Sequence, residues 1–197
     1  FGRGGGGGVI NRVTKVAETA DNFTRLSAAV DTFSASSLSV DTNHVINASQ
    51  ALRINGVFDT VDNHRDFKDG ERFAVNPTYT HIVSDDTVLR ASYEYVSDDR
   101  LVDRGVPADD GEPLRGFDDT FFGKSDFNNT TLEAHIARIR VEHQLSSAWT
   151  TNATLQFADY DKFYQNLYPV NFDRTASTVT LDGYRDTTTR QNTLAQI

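Results

Sequence analysis

"VLRASYEYV", residues 88–96, decides how the chain is read. Leu89, Ala91, Tyr93 and Tyr95 fall on one side of an extended backbone, and Arg90, Ser92 and Glu94 fall on the other. Strict alternation is the mark of a strand with one apolar and one polar face. The same pattern recurs outward in both directions. Upstream it covers 24–33, 37–46, 51–61 and 72–83; downstream it covers 134–143 and 149–160, with a less regular stretch at 178–197. Helical periodicity is almost absent. The connections alternate as well: "NASQ" (47–50), "SDDT" (84–87) and "LSSA" (145–148) are tight turns, while 62–71, 97–131 and 161–177 are long. A short first connection near Ser34–Ser36 interrupts that rhythm.

Composition narrows the class. The 197 residues are 38% hydrophobic with a mean hydropathy of −0.48 and a net charge of −9. That charge argues against a nucleic-acid partner, which needs a basic face. With no cysteine, disulfides and thiolate metal sites are excluded. No run is long and apolar enough for a transmembrane helix, but a transmembrane barrel needs only strands of about 9–11 alternating residues. No signal peptide is visible. The absence of methionine and the abrupt start at Phe1 point to an internal piece of a longer chain.

Two architectures accommodate such strands. In a soluble β-sandwich the polar face meets bulk water; in a wide barrel it lines a lumen, and the apolar face meets lipid. Here the apolar face mixes small residues (Ala28, Ala91, Ala137, Ala153) with aromatics near strand ends (Phe23, Tyr93, Tyr95, Trp149, Phe157). Aromatics at strand ends suit interfacial girdles. Short turns on one side and long loops on the other also suit a barrel. The expected fold is all-β: antiparallel up-and-down strands forming part of a large transmembrane β-barrel.

The chain opens "FGRGGGGGVINRVTK", with glycine at six of its first eight positions. A phosphate-binding loop would need a Lys-Ser/Thr pair and a following helix, and neither is present. Glycines here fit a close backbone passage. This stretch resembles the end of the plug domain in TonB-dependent siderophore receptors, with an Arg-Gly-rich turn, a Gly-Gly-Val-Ile-Asn strand and a Thr-Lys exit. Five consecutive glycines exceed that family's pattern. "ALRINGVFDTVDNHRDF", "RFAVNPTYT", "LRASYEYVSDDRLVDRGVP" and "FADYDKFYQNLYP" resemble later segments of the family in the same order, most closely its catecholate branch. The resemblance implies that 1–18 end a plug domain, with its last strand near 8–16, and that 19–197 supply about eight barrel strands. It implies an outer-membrane receptor that binds and imports ferric siderophores. Its partners would be the ferric siderophore, outer-membrane lipid and, through a segment upstream, the energy-transducing TonB protein.

The resemblance also places candidate residues. Arg12 and Lys15 would contact the barrel from the plug, paired with carboxylates such as Asp41, Asp59 or Glu94; a solvated basic pair is the alternative. Loop 97–131 carries nine acidic and four basic residues. Its "ADDGEP" lacks calcium-loop spacing, and a solvated loop is the bland reading. Within it Arg100, Arg104 and Arg115 suit an anionic iron chelate. Stretch 161–177 presents Lys162, Phe163, Tyr164, Tyr168 and Phe172 after Tyr160. These aromatics would touch ligand, or else pack on neighbouring loops or form the upper girdle. The five histidines share no ligand spacing, and no nucleophile motif is present, so neither a metal site nor an enzyme is expected. The competing functions are the same scaffold for haem, cobalamin or a carbohydrate, and a soluble β-sandwich binding module. Haem would favour a histidine in an outer loop, and only His64 is so placed.

Overall fold

The computed structural model describes residues 12–197; the glycine run lies outside the described residues, as does most of the expected plug strand. Residues 12–22 have no regular secondary structure. The strands are β1 (Phe23–Val30), β2 (Ser36–Asn47), β3 (Gln50–Thr60), β4 (Gly70–Ser84), β5 (Thr87–Leu101), β6 (Ala108–Asp109), β7 (Glu112–Pro113), β8 (Asn129–Ser146), β9 (Trp149–Asp173) and β10 (Thr178–Gln196). Eight form one antiparallel sheet in the order β1-β2-β3-β4-β5-β8-β9-β10, and β6 and β7 make a separate small hairpin. There is no helix among the described residues.

The alternation sets the two faces. Register places Asp41 opposite Asn55, Arg53 opposite Thr78, Ser92 opposite Arg138 and Arg138 opposite Gln156, so one face is polar across the sheet. The other face exposes Leu26, Leu38, Leu52, Phe58, Phe73, Ile139, Leu155 and Phe157. An apolar face of this extent is far beyond the scattered exposed residues of an ordinary soluble surface. On β4 it runs from Phe73 to Val83. That span is about 33 Å along the strand at about 3.3 Å per residue. At a barrel-like tilt of about 40° it becomes about 25 Å of height, the band that a transmembrane barrel presents to lipid. Aromatics mark its upper edge: the Phe73 and Tyr95 rings lie 6.1 Å apart, and Tyr95 and His135 lie 4.9 Å apart. Trp149 and Leu145 mark the lower edge beside a tight turn. The buried apolar residues are few and mostly small, among them Ala17, Ala51, Ala134 and Ala158.

The three tight turns share a device. Each has a register shift beside it, at Val45/Asn47, Ile82/Ser84 and Gln144/Ser146. Such irregularities sharpen local twist and are common at barrel rims. Gly70 meets another local demand. A Cβ there would lie 2.8 Å from the Cβ of Arg100, its cross-strand partner, so only glycine permits the approach.

Two expectations need correction. Stretch 161–177 is not a long loop: β9 continues to Asp173 and pairs with β10 along its length, leaving a turn at 174–177. Stretch 97–131 is shorter than read, because β5 extends to Leu101 and β8 begins at Asn129. Beyond Phe157 both faces are polar, with Asp159 and Asp161 on one and Lys162 and Asn166 on the other. The alternation therefore vanishes although the strand persists.

Candidate functional site

Two constellations occupy the polar side of the sheet. The lower one holds segment 12–22 against the wall. Arg12 donates to both Glu94 carboxylate oxygens at 2.6 Å, and Lys15 Nζ donates to Asp41 Oδ2 at 2.8 Å. Asp41 also receives a fork from Arg53, with Nε at 2.8 Å from Oδ1 and Nη2 at 2.9 Å from Oδ2. Arg53 Nη1 reaches back to the Val16 carbonyl at 3.0 Å and the Glu18 carboxylate at 3.2 Å. Backbone is captured too. Asn43 donates to the Glu18 and Asp21 carbonyls at 2.7 Å and accepts from the Glu18 amide at 3.0 Å, and Thr80 donates to the Ala17 carbonyl at 2.8 Å. An irregular segment has no ladder of its own, so these side chains satisfy its polar groups. Asp59 lies apart, paired with Arg72. Arg53, Asn43 and Thr80 were not singled out from sequence; their type and face were legible, but not their contact with the segment.

The upper constellation lies where β5 leaves the sheet. Asp103 forms an ion pair with Arg65 at 2.9 Å, both side chains largely buried. It also accepts from the Gly105 amide at 2.8 Å, and Gly105 turns the chain with φ +87. Arg104 is thereby directed onto the β9–β10 pair. Its Nη1 lies 3.4 Å from the Tyr164 hydroxyl and 3.3 Å from the Tyr184 hydroxyl, and its guanidinium carbon lies 5.4 Å from the Tyr168 ring centre. Tyr164 and Tyr184 stack at 5.4 Å, and Tyr168 meets Tyr184 edge-on at 6.4 Å. Hydrogen bonding to the Tyr164 and Tyr184 hydroxyls raises the guanidinium pKa above its ordinary value, so its charge is fixed. Lys162 Nζ sits 5.8 Å over the Tyr164 ring. Asn166 stands between Tyr164 and Tyr168 on β9 and in register with Tyr184. Its side chain is fully buried and makes no hydrogen bond among the described residues.

A second buried asparagine anchors the loop above. Asn128 donates to the Val102 carbonyl at 2.9 Å and the Leu167 carbonyl at 2.8 Å, and accepts from the Leu167 amide at 2.9 Å. It ties both ends of the 102–128 connection to β9.

The structure brings Arg104, Tyr164 and Tyr168 together and adds Tyr184, which sequence reasoning missed. Its signal was a lone tyrosine in "LDGYRD"; only the β9–β10 register puts it opposite Asn166. Tyr160 shares the face of β9 with Tyr164, lower on the strand. Phe163 points to the opposite face, where Arg185 lies 5.1 Å over its ring. Phe172 lies near the turn, opposite Val179. Arg100 is paired with Asp98 at 2.7 Å, and Arg115 with Glu112 at 2.9 Å, each outside the tyrosine cluster. His64 lies against Phe33 at 6.2 Å. No group of three or more metal-binding side chains occurs among the described residues.

No family model matches the chain. It is 29% identical over 191 residues to the metal-pseudopaline receptor CntO of Pseudomonas aeruginosa, covering 93% of this chain and 25% of that protein. It is 29% identical over 171 residues to the probable TonB-dependent siderophore receptor PiuA of Acinetobacter baumannii, covering 80% of this chain and 22% of that protein. The crystal structure of PiuA superposes with a TM-score of 0.77 at 26% identity, over 84% of this chain and 25% of that one. This chain is a homologue of TonB-dependent siderophore receptors. The closed form of the ferric-catecholate import receptor Fiu from E. coli K12 shares the fold, with a TM-score of 0.76 at 19% identity over 93% of this chain and 28% of that one. The chain spans about a quarter of the length of the curated receptors it matches. The antiparallel sheet, apolar outside and polar inside, thus matches a stretch of barrel wall in the PiuA structure.

Chemically, the upper cluster offers a permanent cation and stacked phenol faces on the polar side of that wall. This combination suits a planar, anionic, oxygen-rich ligand.

Proposed function

We propose that the chain forms part of the barrel wall of an outer-membrane, TonB-dependent receptor that imports ferric siderophores. Residues 1–18 end the plug, and 19–197 belong to the barrel. The observation that carries the ligand reading is Arg104 held over Tyr164, Tyr168 and Tyr184. Iron(III) held by three catecholates is a trianion with flat aromatic arms. Arg104 answers the charge and the tyrosines answer the rings. Tyr160 and Lys162 continue the same face downward, while Arg100 and Arg115 would contribute only a diffuse attraction through the rim. Energy for import would come from the TonB protein acting on a segment preceding the plug exit, with the Arg12–Glu94 and Lys15–Asp41 pairs as part of the grip between plug and wall. The receptor is not an enzyme.

A second reading rests on the relative named as a metal-pseudopaline receptor, which aligns along 93% of this chain. Arg104 recognises anionic charge rather than catechol as such, so another anionic metal chelate fits the same cluster. Quenching of intrinsic fluorescence in the full-length receptor separates the two. Ferric tris-catecholate is titrated against a carboxylate-type metal chelate, in the wild type and in Arg104→Ala. The catecholate reading expects tight quenching by the former and about tenfold weaker binding in the variant, near the strength of one charge-assisted contact. Equal affinity of wild type and variant for both chelates would remove Arg104 and its tyrosines from the site.

A further inference from the structure

The lower part of the polar face carries a concentration of positive charge that neither the segment contacts nor the upper cluster uses. Register sets Arg90 of β5 directly opposite Arg140 of β8, and Arg138 stands opposite Ser92 on the same face. Like charges directly opposed across strands are destabilising. Among the described residues, the only carboxylate within ion-pair distance of these three arginines is Glu142, 3.7 Å from Arg90 and 3.8 Å from Arg140. Arg138 has no carboxylate: it donates from Nε and Nη2 to the Gln156 amide oxygen at 2.8 and 2.6 Å. Arg140 likewise turns to the Asn152 amide oxygen at 2.8 Å. Arg12 also lines this region, but its charge is matched by Glu94. Arg90 and Arg140 therefore share one carboxylate and Arg138 reaches none among the described residues, in a chain whose net charge is −9.

These side chains line a cavity of about 410 Å³ between the wall and segment 12–16, with Thr78, Thr80 and Ser92 adding hydroxyls. Uncompensated charge at membrane depth is costly and marks a functional position. Guanidinium forks match carboxylate and phosphate oxygens.

We propose that Arg90, Arg138 and Arg140 form a seat for an oxyanion on the inner wall, distinct from the arginine–tyrosine cluster above. The occupant is a carboxylate or phosphate group. It is supplied either by an acidic side chain of a part of the protein packed inside the barrel or by a free anion in the lumen. The bound oxyanion separates Arg90 from Arg140 and gives Arg138 the charged partner it lacks.

The test uses the full-length protein in detergent, in three forms: wild type, Arg138→Gln/Arg140→Gln, and Arg185→Gln as an outer-face control. The melting midpoint is followed against inorganic phosphate at constant ionic strength. Labelling of a single cysteine at Thr14→Cys is followed in parallel. A saturable phosphate-dependent rise in wild type and in Arg185→Gln, absent from the double variant, assigns the seat to a free anion. A midpoint indifferent to phosphate, with labelling about tenfold faster in the double variant and restored by Arg138→Lys/Arg140→Lys, assigns it to an internal carboxylate. No phosphate effect in wild type and unchanged labelling in the double variant overturn the proposal. The phosphate titration of wild type stands even where the double variant fails to fold.

Discussion

Strand β9 behaves as two different strands joined end to end. From Trp149 to Phe157 its outward residues are apolar except Thr151, and its inward residues include Asn152 and Gln156. From Asp159 to Asp173 both faces carry polar groups, yet pairing continues, with β8 as far as Gln165 and with β10 to Asp173. The lower part is a wall between two solvents; the upper part is a ribbon in one. Charge inside the lower wall is held by ion pairs or by side-chain amides, and a charge on its outside meets hydrocarbon. In the upper ribbon, aromatic and polar side chains are free to serve recognition.

The largest expected effect breaks the interior of the lower wall. Arg53 and Asp41 are both nearly buried, and Arg53 also ties Val16 and Glu18. Arg53→Ala leaves Asp41 with Lys15 at 2.8 Å and the more exposed Arg25 at 3.9 Å, and a truncated buried pair typically costs about 3–5 kcal/mol. Denaturant unfolding of the full-length protein in micelles measures the loss. A midpoint unchanged from wild type would mean that segment 12–22 is not fastened through Arg53.

The outer face of β9 provides the direct contrast. Leu155→Arg places a cation within the apolar band and is expected to cost about 2–4 kcal/mol if it lies near the bilayer midplane. Asp161→Arg, on the same face of the same strand, is expected to stay within about 0.5 kcal/mol of wild type. It even places a cation opposite Glu133, where two carboxylates now face each other in register. Equal costs at the two sites would erase the division of β9 and with it the reading of the apolar band. Refolding yield into vesicles distinguishes the outcomes.

A smaller and more local effect is expected at Asn128. Its amide satisfies the Val102 and Leu167 carbonyls and the Leu167 amide. Asn128→Ala strands these groups, at about 1–3 kcal/mol if they stay buried. The prediction is faster hydrogen exchange at 102–128 and the upper end of β9, with the lower wall unaffected. Uniform acceleration across the sheet would show that loop and wall unfold together.

The same division explains what was legible in the sequence. Wherever one face meets an apolar medium and the other a polar one, the chemistry alternates, so the strands before β10 can be read from residues such as Leu89, Ala91 and Tyr93 against Arg90, Ser92 and Glu94, whereas β10 sets Gln191 and Thr193 outward and Leu194 inward and reads as less regular. Above the band that contrast disappears, and 161–173 reads as a loop although it is strand. The site was half visible for a related reason. Arg104, Tyr164 and Tyr168 stand out as residue types, but Tyr184 joins them through register, which no local pattern encodes. Phe163 and Tyr164 are alike as residue types, but neighbours on a strand face opposite ways, and Phe163 lies under Arg185 on the other face.

The smallest expected effect probes that register. Tyr184→Phe removes one hydroxyl, 3.3 Å from Arg104, and keeps the ring stacked on Tyr164. The bond is long and the Tyr164 hydroxyl remains, so affinity for ferric tris-catecholate is expected to fall by no more than about threefold, the low end of what one hydrogen bond contributes. Tyr184→Ala removes the ring as well; loss of an aromatic contact of about 0.5–1.5 kcal/mol should weaken binding by up to about tenfold. The ordering Ala below Phe below wild type identifies the tyrosine as a stacking surface for the ligand. If Phe and Ala lose equally, the hydroxyl is what matters, and Tyr184 acts by steering Arg104 rather than by touching the chelate.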